Sequence, residues 1–171
     1  MKKTIRSLAF LLALTVTISS CSKNKDEDTN EAGNYVKYNG NSYVLNYAQN
    51  DSEGNSYSNF LLITLNVKGG QTSGKASGVN IMFDNLETTP GTYTYKDDND
   101  PTYDKSRNFF DAIAFFNMNF PDQSGGTTLE DITSGTVTVT KSGSTYTVAY
   151  ELNFDGAVVT GKYTGAVQEI N

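Results

Sequence analysis

The chain of 171 residues has no histidine, no tryptophan and a single cysteine, and these scarcities narrow the chemistry available to it. A serine or cysteine nucleophile normally needs a basic partner, most often histidine. A single cysteine cannot form a disulfide within the chain or supply a cluster of thiolates for zinc. The composition therefore predicts that the protein is not an enzyme.

Basic residues are also few. The chain has 13 Lys and Arg against 19 Asp and Glu, a net charge of −6, and three of the basic residues are Lys2, Lys3 and Arg6. Binding to nucleic acid or to an anionic lipid surface requires patches of Lys and Arg. We therefore expect no nucleic-acid partner.

The longest apolar run, residues 8–18, is shorter than the roughly 20 residues that a transmembrane helix needs. It follows the basic start and ends at Ile18, Ser19, Ser20 and Cys21. This arrangement resembles a bacterial lipoprotein signal peptide closed by a lipobox. The resemblance implies that residues 1–20 are removed, with Ile18, Ser19 and Ser20 recognised by the signal peptidase. It also implies that Cys21 carries lipid, palmitate among its acyl chains, as a membrane anchor.

Residues 21–33 contain no apolar residue larger than alanine after the cysteine, so they predict a disordered tether. The charged stretch at residues 25–28 resembles the surface-export signal of Bacteroidetes-type lipoproteins. That resemblance implies an outer-membrane location with the domain exposed at the cell surface. The alternative is a location on the periplasmic face.

Residues 34–171 predict one all-β domain. Apolar and polar side chains alternate at residues 136–140, 145–154 and 159–167, with Ser142-Gly143 and Asp155-Gly156 as turn signals between them. Residues 135–169 therefore predict an antiparallel meander. About nine strands in all favour a single antiparallel β-sandwich, with a closed eight-stranded lipocalin-like β-barrel as the alternative.

Residues 109–120 are apolar at both odd and even positions, which a half-exposed strand would not need. A central strand covered on both sides explains this pattern, and so does a β-bulge that switches faces part-way. The functional alternative is an exposed aromatic patch that binds a ligand. Its candidate residues are Tyr93, Tyr95, Tyr103, Phe109 and Phe115.

An acidic loop at residues 97–104 contains Asp98, Asp100 and Asp104, whose oxygens suit calcium. The spacing lacks the glycine and the glutamate of an EF-hand loop, so a solvated loop is the simpler interpretation. No other cofactor is indicated. Asp111 and Glu151 are candidates for a glycosidase pair only because they lie within predicted strands, and outward-facing acids on an edge or solvent face are the better explanation.

As a whole, the chain resembles the small all-β surface lipoproteins of Bacteroidetes-type bacteria. The resemblance rests on the lipobox with its acidic follow-on and on the C-terminal meander. The resemblance does not assign an activity, and the lack of catalytic residues favours a non-catalytic ligand-binding or adhesion module, with a glycan or an envelope protein as its partner. The alternative is a structural or accessory subunit of an outer-membrane or surface assembly, with residues 35–38 or 159–167 as a free strand edge for its partner.

Overall fold

The computed structural model describes residues 33–51, 57–67, 73–84 and 89–169. The predicted lipobox at Ile18, Ser19, Ser20 and Cys21, and the tether up to residue 32, lie outside these ranges. Every regular element within them is a β-strand. The same ranges contain no helix of the length and apolar character needed to cross a membrane.

Thirteen strands make up the described fold. They are β1 (Tyr35–Tyr38), β2 (Asn41–Val44), β3 (Tyr47–Asp51), β4 (Ser58–Ile63), β5 (Gly74–Phe83), β6 (Gly91–Tyr95), β7 (Asn108–Phe109), β8 (Asp111–Phe120), β9 (Thr127–Leu129), β10 (Ile132–Ser142), β11 (Thr145–Phe154), β12 (Ala157–Gly165) and β13 (Val167–Glu169).

The strands form two open sheets. The seven-stranded sheet has the order β2-β1-β12-β11-β10-β6-β7, and the six-stranded sheet has the order β13-β3-β4-β5-β8-β9. The predicted all-β sandwich is confirmed, and the closed barrel is wrong because the end strands of each sheet do not pair. The sheets are mixed rather than purely antiparallel, since β13 runs parallel to β3 and β7 runs parallel to β6.

The C-terminal meander is confirmed by the pairing of β10, β11 and β12. Its turns use Gly143 and Gly156 at φ values of 60° and 73°, which glycine adopts without steric cost. Tyr150 lies opposite Gly161, and its ring occupies the space where a Cβ on Gly161 would stand. Glycine at this position therefore lets a large aromatic ring cross its neighbouring strand.

Apolar residues from both sheets meet in one core. Phe83 of the six-stranded sheet lies 4.9 Å, centroid to centroid, from Tyr93 of the seven-stranded sheet. Phe116 of the six-stranded sheet stacks on Tyr38 of the seven-stranded sheet, with the ring centroids 4.5 Å apart. These ring pairs connect the two layers of the sandwich, and the side of each sheet that faces this core is its inner face.

A β-bulge in β8 explains the unusual apolar pattern of residues 109–120. Opposite Ser77 of β5, the strand places two residues, Phe116 and Asn117, and the Asn117 backbone N–H donates to the Ser77 Oγ at 2.9 Å. Asn117 has a positive φ of 54°. The extra residue reverses the alternation, so Phe116 faces the core whereas Met118 packs on the opposite side.

Candidate ligand-binding face

Two of the predicted ligand-binding aromatics lie in the core. Tyr93 is 2 % exposed and Phe109 is 0 % exposed. Tyr93 pairs with Val137, an inward residue of β10, and its hydroxyl donates to the Thr89 carbonyl oxygen at 2.8 Å. The prediction that these residues form an exposed patch is wrong, because β6 and β7 belong to the seven-stranded sheet and turn both rings inward.

The tyrosines on the adjoining segment are half-buried. The Tyr95 ring lies 5.8 Å from that of Phe109, and burial, followed by the nearby Asp97 carboxylate, raises the pKa of Tyr95. Burial, followed by the nearby Asp84 carboxylate, also raises the pKa of Tyr103. Phe115 lies on the six-stranded sheet, away from the core. The five candidates therefore do not form one surface.

The acidic loop uses its carboxylates in local turns. Asp100 accepts hydrogen bonds from the backbone N–H and the hydroxyl of Thr102, and these bonds lower the pKa of Asp100. Asp104 accepts the same pair of bonds from Ser106, with the same effect on its pKa. The Asp98 carboxylate accepts from the Asn99 amide. In the described ranges, no three acidic, histidine or cysteine side chains are grouped to hold a metal ion, and calcium binding stays a prediction.

The possible glycosidase pair is not brought together. Asp111 lies on β8 of the six-stranded sheet, whereas Glu151 lies on β11 of the seven-stranded sheet between Thr136 and Thr160. Both carboxylates stand on faces that point away from the shared core. They belong to opposite outer surfaces of the sandwich and cannot flank one bond.

The outer face of the six-stranded sheet, the side away from the shared core, carries a second apolar cluster. We call it the outer cluster. Its buried members are Ile63, Ala76 and Phe115, and the partly buried residues against them are Tyr47, Leu61, Leu65, Val67, Met118 and Phe120. Leu61, Ile63, Leu65 and Val67, which are spaced two apart in the sequence, therefore share one face, and that face is the outer one.

An apolar groove of about 320 Å³ lies in the outer cluster. Its apolar lining consists of Leu61, Ile63, Ile113, Phe115, Met118 and Phe120. Asn80, Gln123, Thr128 and Glu130 supply the polar lining. Of the five predicted ligand-binding residues, only Phe115 lines this groove. The groove has the size and the mostly apolar lining of small-ligand sites.

A smaller cavity of about 170 Å³ adjoins the groove, because Leu61 and Asn80 line both. We call it the amide pocket. Its other lining residues are Gln49, Asp51 and Asn59. The ladder of β3, β4, β5 and β8 sets Gln49, Leu61, Asn80 and Ile113 side by side, since directly paired residues share a face.

Polar atoms of the amide pocket lack partners. Gln49 is 0 % exposed, yet neither its Nε2 nor its Oε1 makes a hydrogen bond. The Asn80 Nδ2 donates to the Asn59 Oδ1 at 3.3 Å, but the Asn80 Oδ1 accepts nothing. Gln168, paired with Gln49 from β13, also has an unpartnered Oε1. Native proteins leave few buried polar atoms in this state, so each one calls for an explanation.

The charge around the site is negative. Asp51 lines the amide pocket and Glu130 lines the groove, whereas no lysine or arginine lines either cavity among the described residues. Asp111, two positions before Ile113, lies on the same face. Burial raises the pKa of Asp111; the N–H of Ala112 opposes this shift, and the Glu130 carboxylate adds to it.

Sequence reasoning does not identify Gln49, Asn59 or Asn80. In the sequence, Val79 and Ile81 alternate with Asn80, which places Asn80 on the opposite face of β5 but does not show what lies beside that face. Only the pairing of β3, β4 and β5 reveals that these amides adjoin an apolar cluster. A buried amide and a solvated amide have the same local sequence pattern.

Comparisons with protein-family models, with curated proteins and with solved structures find no match for this chain.

Proposed function

We propose that the protein is a lipid-anchored envelope protein that binds a ligand, without catalysis, on the outer face of its six-stranded sheet. One observation carries the proposal: the apolar groove is joined to a pocket of unpartnered amides, on a face that has no other sheet packed on it among the described residues. Apolar area with a few unsatisfied polar groups is the usual composition of a ligand site.

The non-catalytic part of the proposal rests on composition. The chain has no histidine, and its single cysteine is the proposed lipid attachment site. The carboxylates near the groove are Asp111 and Glu130, which lie close enough for the Glu130 charge to raise the pKa of Asp111, and we assign them no catalytic role. Binding is therefore the simplest use of the face.

The proposed anchor is tested by metabolic labelling with a palmitate analogue. The full chain should be labelled and the Cys21→Ser variant should not, whereas Ser22→Ala should keep the label. Labelling that survives Cys21→Ser would refute the anchor. Protease treatment of intact cells then separates the surface location, where the domain is digested, from the periplasmic face, where it is protected.

The proposed binding face is tested with the full chain reconstituted in lipid vesicles. Fluorescent neutral oligosaccharides, anionic oligosaccharides and extended peptides are offered to these vesicles and to bare ones. We expect one class to bind, and the double change Ile113→Thr/Met118→Thr to weaken its binding at least tenfold. Val158→Thr, at an exposed apolar position of the other sheet, is the matched control. If none of the three classes binds, or if the double change leaves the affinity unchanged, the proposal fails.

The alternative is an accessory subunit that receives a strand from a partner. The predicted edges at residues 35–38 and 159–167 are wrong, because β1 lies between β2 and β12, and β12 lies between β1 and β11. The free edge there is β2, which carries Val44 at 67 % exposure. Introducing Pro at Ser42 should abolish assembly if β2 is the docking edge, and unchanged assembly would refute this alternative.

A further inference from the structure

We infer that the ligand of the outer face is a neutral glycan whose hydroxyl groups enter the amide pocket. The inference rests on the proposed function, since it names the ligand class of the same face. It starts from Gln49, a fully buried side chain that lines the amide pocket with one donor group and one acceptor atom unpartnered.

A sugar hydroxyl matches what the pocket lacks. The Gln49 Nε2 needs an acceptor, and the Gln49 and Asn80 carbonyl oxygens need donors. A hydroxyl group is both donor and acceptor, so neighbouring hydroxyls of one ring can satisfy both amides. Because an unpaired buried polar group is costly, a ligand that pairs it recovers the desolvation penalty already present in the free protein.

The apolar groove matches the rest of a sugar ring. A pyranose presents C–H groups on its faces and hydroxyls at its rim. Leu61 lines both cavities, and Ile113 and Phe115 line the groove beside it. A ring placed over Leu61 would rest its C–H face on the apolar lining while its rim reaches Gln49 and Asn80.

Charge selects neutral over anionic ligands. Asp51 and Glu130 line the two cavities, and no basic side chain lines either in the described ranges. A uronic acid, a sulfated sugar or a phosphate would meet these carboxylates without a cation to compensate. Neutral oligosaccharides avoid this repulsion.

The position within the sheet disfavours an extended peptide that adds a strand. The amide pocket lies over β3, β4 and β5, whose backbone groups pair with neighbouring strands on both sides. Strand addition needs a free edge, which here would be β13 or β9. A ligand that binds over interior strands must therefore be recognised by side chains, which is how we expect a glycan to bind.

The test uses the vesicle-bound full chain with gluco-, manno- and xylo-hexaoses as neutral probes and oligogalacturonate as the anionic probe. At least one neutral hexaose should bind, with little binding of oligogalacturonate. Gln49→Met, which keeps the side-chain volume, should weaken that binding at least tenfold and leave the melting temperature unchanged or higher. Thr138→Val, the same polar-to-apolar change on the other sheet, should leave binding unchanged.

The outcomes separate the two proposals. Peptide binding that depends on Ile113 and Met118, with no neutral hexaose bound, overturns the glycan and keeps the binding face. Hexaose binding that is indifferent to Gln49→Met places the sugar elsewhere and overturns the amide pocket as its site. If no probe binds on this face, both the glycan inference and the proposed binding face are overturned. A lower melting temperature for Gln49→Met would show that the amide supports the fold, and Asn80→Leu then repeats the binding test.

Discussion

The outer faces of the two sheets differ in what they carry. On the seven-stranded sheet, the outer positions hold Thr136, Thr138, Glu151 and Lys162, and outer threonine hydroxyls elsewhere pair across strands, as Thr147 and Thr164 do at 3.1 Å. On the six-stranded sheet, the outer positions hold the outer cluster and the amide pocket. The first face also has an open depression, of about 390 Å³, which lies among hydroxyl and charged side chains such as Thr136, Thr138 and Glu151. The second face instead combines apolar area with buried amide atoms that have no hydrogen-bond partner. The difference supports the six-stranded sheet as the functional side.

Within the six-stranded sheet, β4 and β5 approach closely at Gly78, and Gly78→Ala is the most severe test of this packing. A Cβ on Gly78 would meet the Leu62 carbonyl oxygen and, at 3.0 Å, the Ile63 Cα, so the β4 backbone itself would have to move. We expect a loss of about 3 kcal/mol in the free energy of unfolding. Gly91→Ala is the control, because its nearest atoms belong to the Tyr93 side chain at 3.6 Å or more. Urea unfolding measures both, and equal losses would contradict the close approach at β4.

Truncation of outer residues compares the faces directly. Ile63 is fully buried although it faces outward, so Ile63→Ala should cost about 2 to 3 kcal/mol. Thr136→Ala, at an exposed outer position of the other sheet, should cost less than about 1 kcal/mol. The measurement is again urea unfolding. If the two costs were equal, the outer cluster would not be a packed layer.

Tyr150→Phe compares an unpartnered polar atom in the shared core with the unpartnered Gln49 amide of the amide pocket. The Tyr150 hydroxyl is buried in the shared core without a hydrogen-bond partner, and burial raises its pKa well above 10. Removing the hydroxyl should stabilise the fold by about 1 kcal/mol and leave ligand binding intact. Gln49→Met, by contrast, should weaken ligand binding at least tenfold.

Tyr163→Phe provides the matched control for Tyr150→Phe. The Tyr163 hydroxyl donates to the Ala166 carbonyl oxygen at 3.0 Å. Its removal should cost about 1 kcal/mol, the opposite sign. Thermal or urea unfolding distinguishes the two, and destabilisation by both changes would indicate that the Tyr150 hydroxyl has a partner.

The difference between the outer faces of the two sheets also explains which parts of the structure the sequence predicts. The meander is predictable because β10 and β11 have one apolar and one polar face, so alternation alone assigns the core. β4 and β8 have apolar residues on both faces, and Phe60 and Leu61 cannot be assigned to a side from local pattern. Their assignment depends on pairing with strands distant in sequence and on the bulge at Asn117. The candidate site lies on these strands, so the sequence predicts the fold class and not the site.

The smallest expected effect is a pH dependence confined to the six-stranded outer face. Burial raises the pKa of Asp111 above that of the unfolded chain, so its contribution to stability is complete below the unfolded pKa and is lost as the pH rises through the folded pKa. Asp111→Asn should therefore raise the free energy of unfolding at pH 7, by less than about 1 kcal/mol after solvent screening, and by less at pH 3. Glu151→Gln, on the outer face of the other sheet, should change it by less than about 0.5 kcal/mol at both pH values. A gain for Asp111→Asn that is larger at pH 3 than at pH 7 would mean that the carboxylate is stabilised in the fold, for example by a bound cation, and would count against a neutral ligand beside it.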